Sequence, residues 1–193
     1  IMTKNPVQLR REIGYVIQQI GLLPHMTIYE NITLVPTLLK WDEEKKRKIA
    51  EELIKKVDLP VEYLEKYPSQ LSGGQQQRIG VIRALAAEQN IILMDEPFGA
   101  LDPITRESLQ NLIKSIQKEL GKTVVFVTHD MNEAIGLADK ILIMDMGHVV
   151  QYDTPENILK SPANDYVRGL LGDDNLNKAK TSYNSVETIM IKN

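Results

Sequence analysis

The chain has 193 residues, enough for one or two domains with a sizeable core. Its net charge is −3, so no basic field marks it for nucleic acid, and it has no cysteine, which excludes disulfides and thiolate metal sites. No apolar run approaches the roughly 20 residues that cross a bilayer, so work at a membrane would need a partner.

In chain order, Ile13–Ile17 is predicted as a short strand that ends at Gln18, with Gln19 beside it as a rival polar group. Residues 22–87 are predicted to be helical. Tyr29–Trp41 is expected to divide at Pro36, which removes a helix donor. Glu43–Val57 carries Ile49, Ala50, Leu53, Ile54 and Val57 at helical spacing, and its mixed charges, Asp42 to Lys56, are expected on a solvated face. Leu59-Pro60 ends that helix, and a short helix near 61–66 precedes Pro68. A helix over 75–87 follows. The pattern then alternates: strand 91–94, helix 103–120, strand 123–128, helix 131–138, strand 140–144. Such alternation predicts a parallel α/β sheet. Asp102-Pro103, Thr154-Pro155 and Ser161-Pro162 each place an N-cap before proline and are expected to start helices. Met146-Gly147 is expected to turn strand 140–144 into strand 148–152 as a hairpin. Residues 173–185 are polar and linker-like before an apolar return at 186–191.

Two segments carry chemistry. Leu71-Ser72-Gly73-Gly74-Gln75 sets Ser72 three residues before Gln75, a capping box and so a helix start. Two glycines in that first turn leave backbone N–H groups open to a ligand, and a helix N-terminus attracts anions. Ile91–Met94 is an apolar run that delivers Asp95 and Glu96 to the C-terminal edge of a buried parallel strand. A phosphate site beside a pair of acids suggests nucleotide hydrolysis.

These residues resemble the nucleotide-binding subunit of an ABC transporter. Leu71–Gln75 is similar to the signature motif, and Ile91–Glu96 to the Walker B strand with its catalytic glutamate. Ala100-Leu101-Asp102-Pro103 resembles the D-loop, His129 after Val124–Thr128 the switch histidine, and Gln18 the Q-loop glutamine. The order of five motifs makes the resemblance specific, and it covers residues 1 to about 172. It implies an α/β fold of P-loop NTPase (RecA-like) type, its core at 1–21 and 88–172. An inserted α-helical subdomain would occupy 22–87, and a linker with the possible start of a CBS domain 173–193.

The resemblance also implies roles. Asp95 belongs to the Mg²⁺ shell, with Gln18 reaching the same ion. Glu96 is the general base, and His129 bonds the γ-phosphate and fixes the attacking water. Ser72, Gly73, Gly74 and Gln75 would meet ATP held by a second copy stacked head to tail, with Asp102 acting across that dimer. The loop after Gln18, residues 20–25, would face a membrane permease at the cytoplasmic face of the membrane, with a substrate-binding protein engaged only indirectly. Residues 18–32, 151–155 and 162–164 look like the importers of glycine betaine, carnitine and choline.

One family part is not found. No G-x-x-x-x-G-K-[ST] occurs, because Ile116 stands where Gly121-Lys122-Thr123 would need its first glycine. Gly121 is expected to end helix 103–120 instead. The chain is therefore expected to be a piece whose P-loop and adenine-stacking aromatic precede Ile1, and the 193 residues alone are expected to turn over no ATP. The alternatives are a non-catalytic interaction or regulatory piece, an importer ATPase for another small solute, and a soluble ABC ATPase of DNA repair or translation.

Overall fold

The structure, a computed structural model, describes residues 5–18, 21–99 and 101–172. Gln19, Ala100 and the 173–193 tail therefore lie outside the described residues. The chain divides into two compact units, residues 1–127 and 128–193.

The first unit opens with helix α1, Pro6–Arg11, and strand β1, Ile13–Val16. α1 was not expected from the sequence, although Asn5-Pro6 repeats the cap-and-proline signature: Asn5 Oδ1 accepts from Val7 N at 2.9 Å. Helices α2, Ile28–Ile32, and α3, Leu34–Leu38, follow. They part at Thr33, not at Pro36. The Thr33 hydroxyl donates back to Tyr29 O at 2.8 Å, while Pro36 sits in the first turn of α3, where its missing N–H costs nothing.

Helix α4 runs from Glu43 to Lys56 and buries Ala50, Leu53 and Ile54, each large aliphatic side chain being worth roughly 1.5–3 kcal/mol. Its mixed-charge face is solvated as expected, except for Lys46, which is buried and bonds Thr37 and Glu43. Two 3₁₀ turns, Val61–Glu65 and Pro68–Gln70, lead into helix α5, Gly73–Arg83. α5 ends four residues before the expected Ala87. α2 and α4 pack on α5 through a core that includes Ile28, Ile32, Ile54, Leu64, Ile79 and Ile82, all fully buried.

Strand β2, Ile91–Asp95, helix α6, Pro103–Leu120, and strand β3, Thr123–Val127, complete this unit. β1, β2 and β3 form a parallel sheet in that order, with Tyr15 opposite Leu93 and Leu93 opposite Val125. Val16, Ile92 and Met94 are buried on one face, while Tyr15, Val125 and Val127 are exposed on the other. α6 begins on the Asp102 cap and ends at Gly121, whose φ of +60° only glycine adopts without strain. Lys122 then bonds Glu88 O and Asn90 Oδ1, so it anchors the entry to β2.

The second unit holds helix α7, Met131–Leu137, strands β4, Ile141–Asp145, and β5, His148–Asp153, and helix α8, Pro155–Lys160. β4 was expected in the parallel sheet; among the described residues it pairs only with β5, antiparallel. Met146 and Gly147 both have positive φ, +46° and +81°, as a two-residue hairpin turn of matching twist requires. Ser161-Pro162 does not start a helix. Ser161 ends α8, Gln151 holds Ser161 O and Ala163 N, and the next helix, 165–172, begins from Asn164. Ile141, Ile143, Ile158, Val167 and Leu171 form this unit's core.

Candidate active site

β1 and β2 are parallel neighbours, so their C-terminal ends emerge at the same edge of the sheet. Gln18 follows β1 and Glu96 follows β2 at that edge. The two residues meet: Gln18 Nε2 donates to Glu96 Oε2 at 2.8 Å. A contact between residues 78 apart in sequence is a product of the sheet register. Asp95 is the last residue of β2, half-buried, and pairs with Val127.

Glu96 has a backbone of an uncommon kind. Its φ is +43°, in the left-handed region that costs a non-glycine residue roughly 1–3 kcal/mol. Tertiary bonds hold it there. Glu96 N donates to Val127 O at 2.9 Å, Gly99 N donates to Glu96 O at 3.2 Å, and Gln77 Nε2 donates to Pro97 O at 2.8 Å. Phe98 is buried directly after this turn and meets Phe126 edge to face at 6.3 Å.

The glycine-bearing helix start is also as its residues dictate. Ser72 Oγ accepts from Gln75 N at 3.3 Å, and Gln75 Oε1 accepts from Ser72 N at 3.0 Å, so Gln75 acts in the cap itself. Gly73 stands in open space, since a Cβ there would meet nothing within 4 Å. Gly74 does not: its Cβ would lie 2.7 Å from Thr105 Cγ2, so the starts of α5 and α6 are in contact. Asp102 Oδ1 accepts from Ile104 N and Thr105 N at 3.1 Å each. The Thr105 hydroxyl bond, reinforced by these N–H groups, holds the Asp102 carboxyl below its ordinary pKa.

His129 belongs to the second unit and is exposed in the turn before α7. That turn is fastened by a residue sequence reading missed. Buried Glu133 accepts from the Thr128 hydroxyl at 2.6 Å, and Thr128 Oγ1 accepts from Asp130 N at 3.1 Å. Gln77 was missed too. Each is a polar side chain that the fold buries and satisfies with a hydrogen bond. Asn31, also missed, is fully buried: its amide bonds Leu23 N, Leu23 O, Met26 O and Thr27 O, and so fixes residues 23–27.

Comparison with known proteins identifies relatives of the whole chain. The ABC transporter family profile matches residues 2–99. The carnitine transport ATP-binding protein OpuCA of Listeria monocytogenes is 67% identical over 193 residues, 100% of this chain and 49% of that protein. The glycine betaine/carnitine/choline transport ATP-binding protein OpuCA of Bacillus subtilis is 61% identical over 190 residues, 98% of this chain and 50% of that protein. The chain thus spans about half the length of these relatives. A solved ATP-binding cassette, dimeric and bound to ADP and Pi after hydrolysis, superposes with a TM-score of 0.67 at 38% identity, over 79% of this chain and 68% of that one. With the fold, the edge that pairs Gln18 with Glu96 and half its residues under the family profile, the chain belongs to the ABC transporter family.

Proposed function

We propose that this chain is part of the ATP-binding and ATP-hydrolysing subunit of an ABC importer for a quaternary-ammonium osmoprotectant of the glycine betaine, carnitine or choline kind. The observation that carries the catalytic half is the Gln18–Glu96 hydrogen bond at the sheet's C-terminal edge. The solute class follows the names of the relatives. No helix of the described residues is long and apolar enough to cross a membrane. Permease subunits would supply the path, a substrate-binding protein the solute, and this chain would sit against them at the cytoplasmic face.

Among the described residues no cluster of three or more metal-ligating side chains exists. Two adjacent carboxylates and an amide nevertheless suit Mg²⁺, which binds through one or two carboxylates plus substrate phosphates and keeps several waters. Asp95 and Gln18 would hold it; the ion's contribution, once bound, is to neutralise charge on the phosphates. Glu96, steadied by the Gln18 amide, takes the proton of the water that attacks the γ-phosphate. His129 would bond that phosphate. Segment 22–87 serves as the helical subdomain beside a core formed by 1–21 and 88–172. Open space at Gly73 leaves the α5 N-terminus accessible to the γ-phosphate of ATP carried by a second copy, head to tail. Asp102, at the adjoining helix start, faces the same dimer partner.

Glu96→Gln tests this reading in the transporter assembled with its permease in liposomes. The amide keeps shape but takes no proton, so ATP binding should persist while turnover falls by about 10²–10⁴-fold. Glycine betaine, carnitine or choline should raise hydrolysis by the unaltered protein. Turnover of Glu96→Gln within a few-fold of wild type would remove Glu96 from the role.

A further inference from the structure

Helix α5 is bonded to the chain just after each member of the Gln18–Glu96 pair. From its first half, buried Gln77 donates to Pro97 O at 2.8 Å, next to the left-handed Glu96. From its last residue, Arg83 Nη1 donates to Gly21 O at 2.6 Å, in the segment that follows Gln18. Just past Arg83, the carbonyl of the C-cap residue Ala84 lies against β1: a Cβ on Gly14 would lie 2.1 Å from Ala84 O. So tight an approach leaves β1 little freedom to slide against α5. The helix whose N-terminus carries Ser72–Gly74 is thus tied to the segments behind both members of the pair.

We infer that Gln77 and Arg83 are positioning residues for hydrolysis, through which α5 holds Glu96 and Gln18 in register. The inference deepens the proposed function and rests on it. A ligand that shifts the α5 N-terminus would move a rigid helix, and both arms would follow. Each fixes a backbone carbonyl, and the catalytic side chain inherits the position. Glu96 needs such support because its φ of +43° is held by its surroundings and not by local preference.

Steady-state ATP hydrolysis by the same liposome-reconstituted transporter tests this. Gln77→Met removes the donor to Pro97 O at similar volume, and Arg83→Met removes the donor to Gly21 O. Each should lower kcat by roughly tenfold to a hundredfold, as small misplacements of reacting groups do, with KM for ATP within about twofold. Arg83→Lys keeps a cationic donor and should recover most of the rate. The double Met variant should be within about threefold of the slower single, because both arms act on one pair. Gln77→Glu, isosteric but presenting an acceptor to Pro97 O, should lose at least as much and stands in if Gln77→Met does not fold. Unchanged kcat in the folded variants, a raised KM at constant kcat, or losses that multiply in the double variant would overturn the inference. A wild-type protein that hydrolyses no ATP would defeat the proposed function itself. A wild type that hydrolyses, with variants that match it, would defeat only the bracing role.

Discussion

On the proposed reading, Glu96 concentrates the conflict between folding and chemistry in one residue. Its left-handed backbone is one that glycine adopts freely, yet a carboxylate stands there. Stability measured by urea unfolding should therefore separate two variants that both lose the side chain. Glu96→Gly should be more stable than Glu96→Ala by about 1 kcal/mol, because only the alanine retains a Cβ in the strained region. Equal stabilities would mean that the turn relaxes and stores no strain. Asp102 makes a second residue-scale case, governed by charge. The Thr105 hydroxyl bond and the α6 N–H groups depress its pKa below the ordinary 3.8. A carboxyl depressed by folding stabilises fully above its unfolded pKa, and that contribution is lost as pH falls through the folded value. The Tm of the wild type should thus fall with acid below about pH 4 more steeply than that of Asp102→Asn, which caps α6 without titrating. Parallel Tm profiles would show that the carboxylate is no better held folded than unfolded.

At the scale of elements, the contact between the starts of α5 and α6 rests on one missing methyl group. Gly74→Ala would bring a Cβ within 2.7 Å of Thr105 Cγ2, and Thr105, branched at Cβ on a helix, has little room to turn away. The substitution should cost about 1–3 kcal/mol in urea unfolding, the usual toll of overpacking. Thr105→Ser removes that methyl and keeps the hydroxyl that serves Asp102, so the double variant should regain most of the loss. No recovery would place the strain elsewhere. Much of this architecture was legible in advance. Asp102, Pro103 and Gly121 announce both ends of α6, and apolar runs announce β2 and β3, because caps and burial act over a few residues. Proline proved ambiguous for the same local reason: Pro36 and Pro162 carry the same ring but sit inside a first turn and outside any helix. What decided them were Thr33 bonding back to Tyr29 and Gln151 reaching across to Ser161. The family resemblance pointed to Gln18, and the local pattern to Glu96 and the Ser72 cap. Both were silent on Gln77 and Arg83, whose partners lie on distant segments and appear only once the helices are packed, and on Asn31, whose partners lie in the residues just before its own helix.

For the molecule as a whole, the proposed reading divides the chemistry. The Gln18–Glu96 pair and the capped start of α5 both lie in the first unit, while His129 lies in the second. On the proposed reading the division extends to two copies, because the α5 N-terminus of one serves the nucleotide held by the other. That arrangement makes a prediction no single-chain mechanism shares. A subunit carrying Ser72→Arg blocks the helix start with bulk and charge, and one carrying Glu96→Gln lacks the base. Each assembled alone should be nearly inactive. In a mixed transporter both alterations fall on the same composite site, the one built from the base of the Glu96→Gln copy and the α5 start of the Ser72→Arg copy. The other site then draws an intact base and an intact helix start from opposite copies. Purified mixed transporters should therefore hydrolyse ATP at a substantial fraction of the wild-type rate, provided the two sites fire independently. Placing both alterations on one copy and leaving the other intact should instead damage both sites. If the sites worked within single chains, the ranking would reverse: the doubly altered copy would leave one good site, and the mixed pair none. The order of these two rates, measured on tagged and separated mixtures, decides between a head-to-tail pair and two self-sufficient subunits.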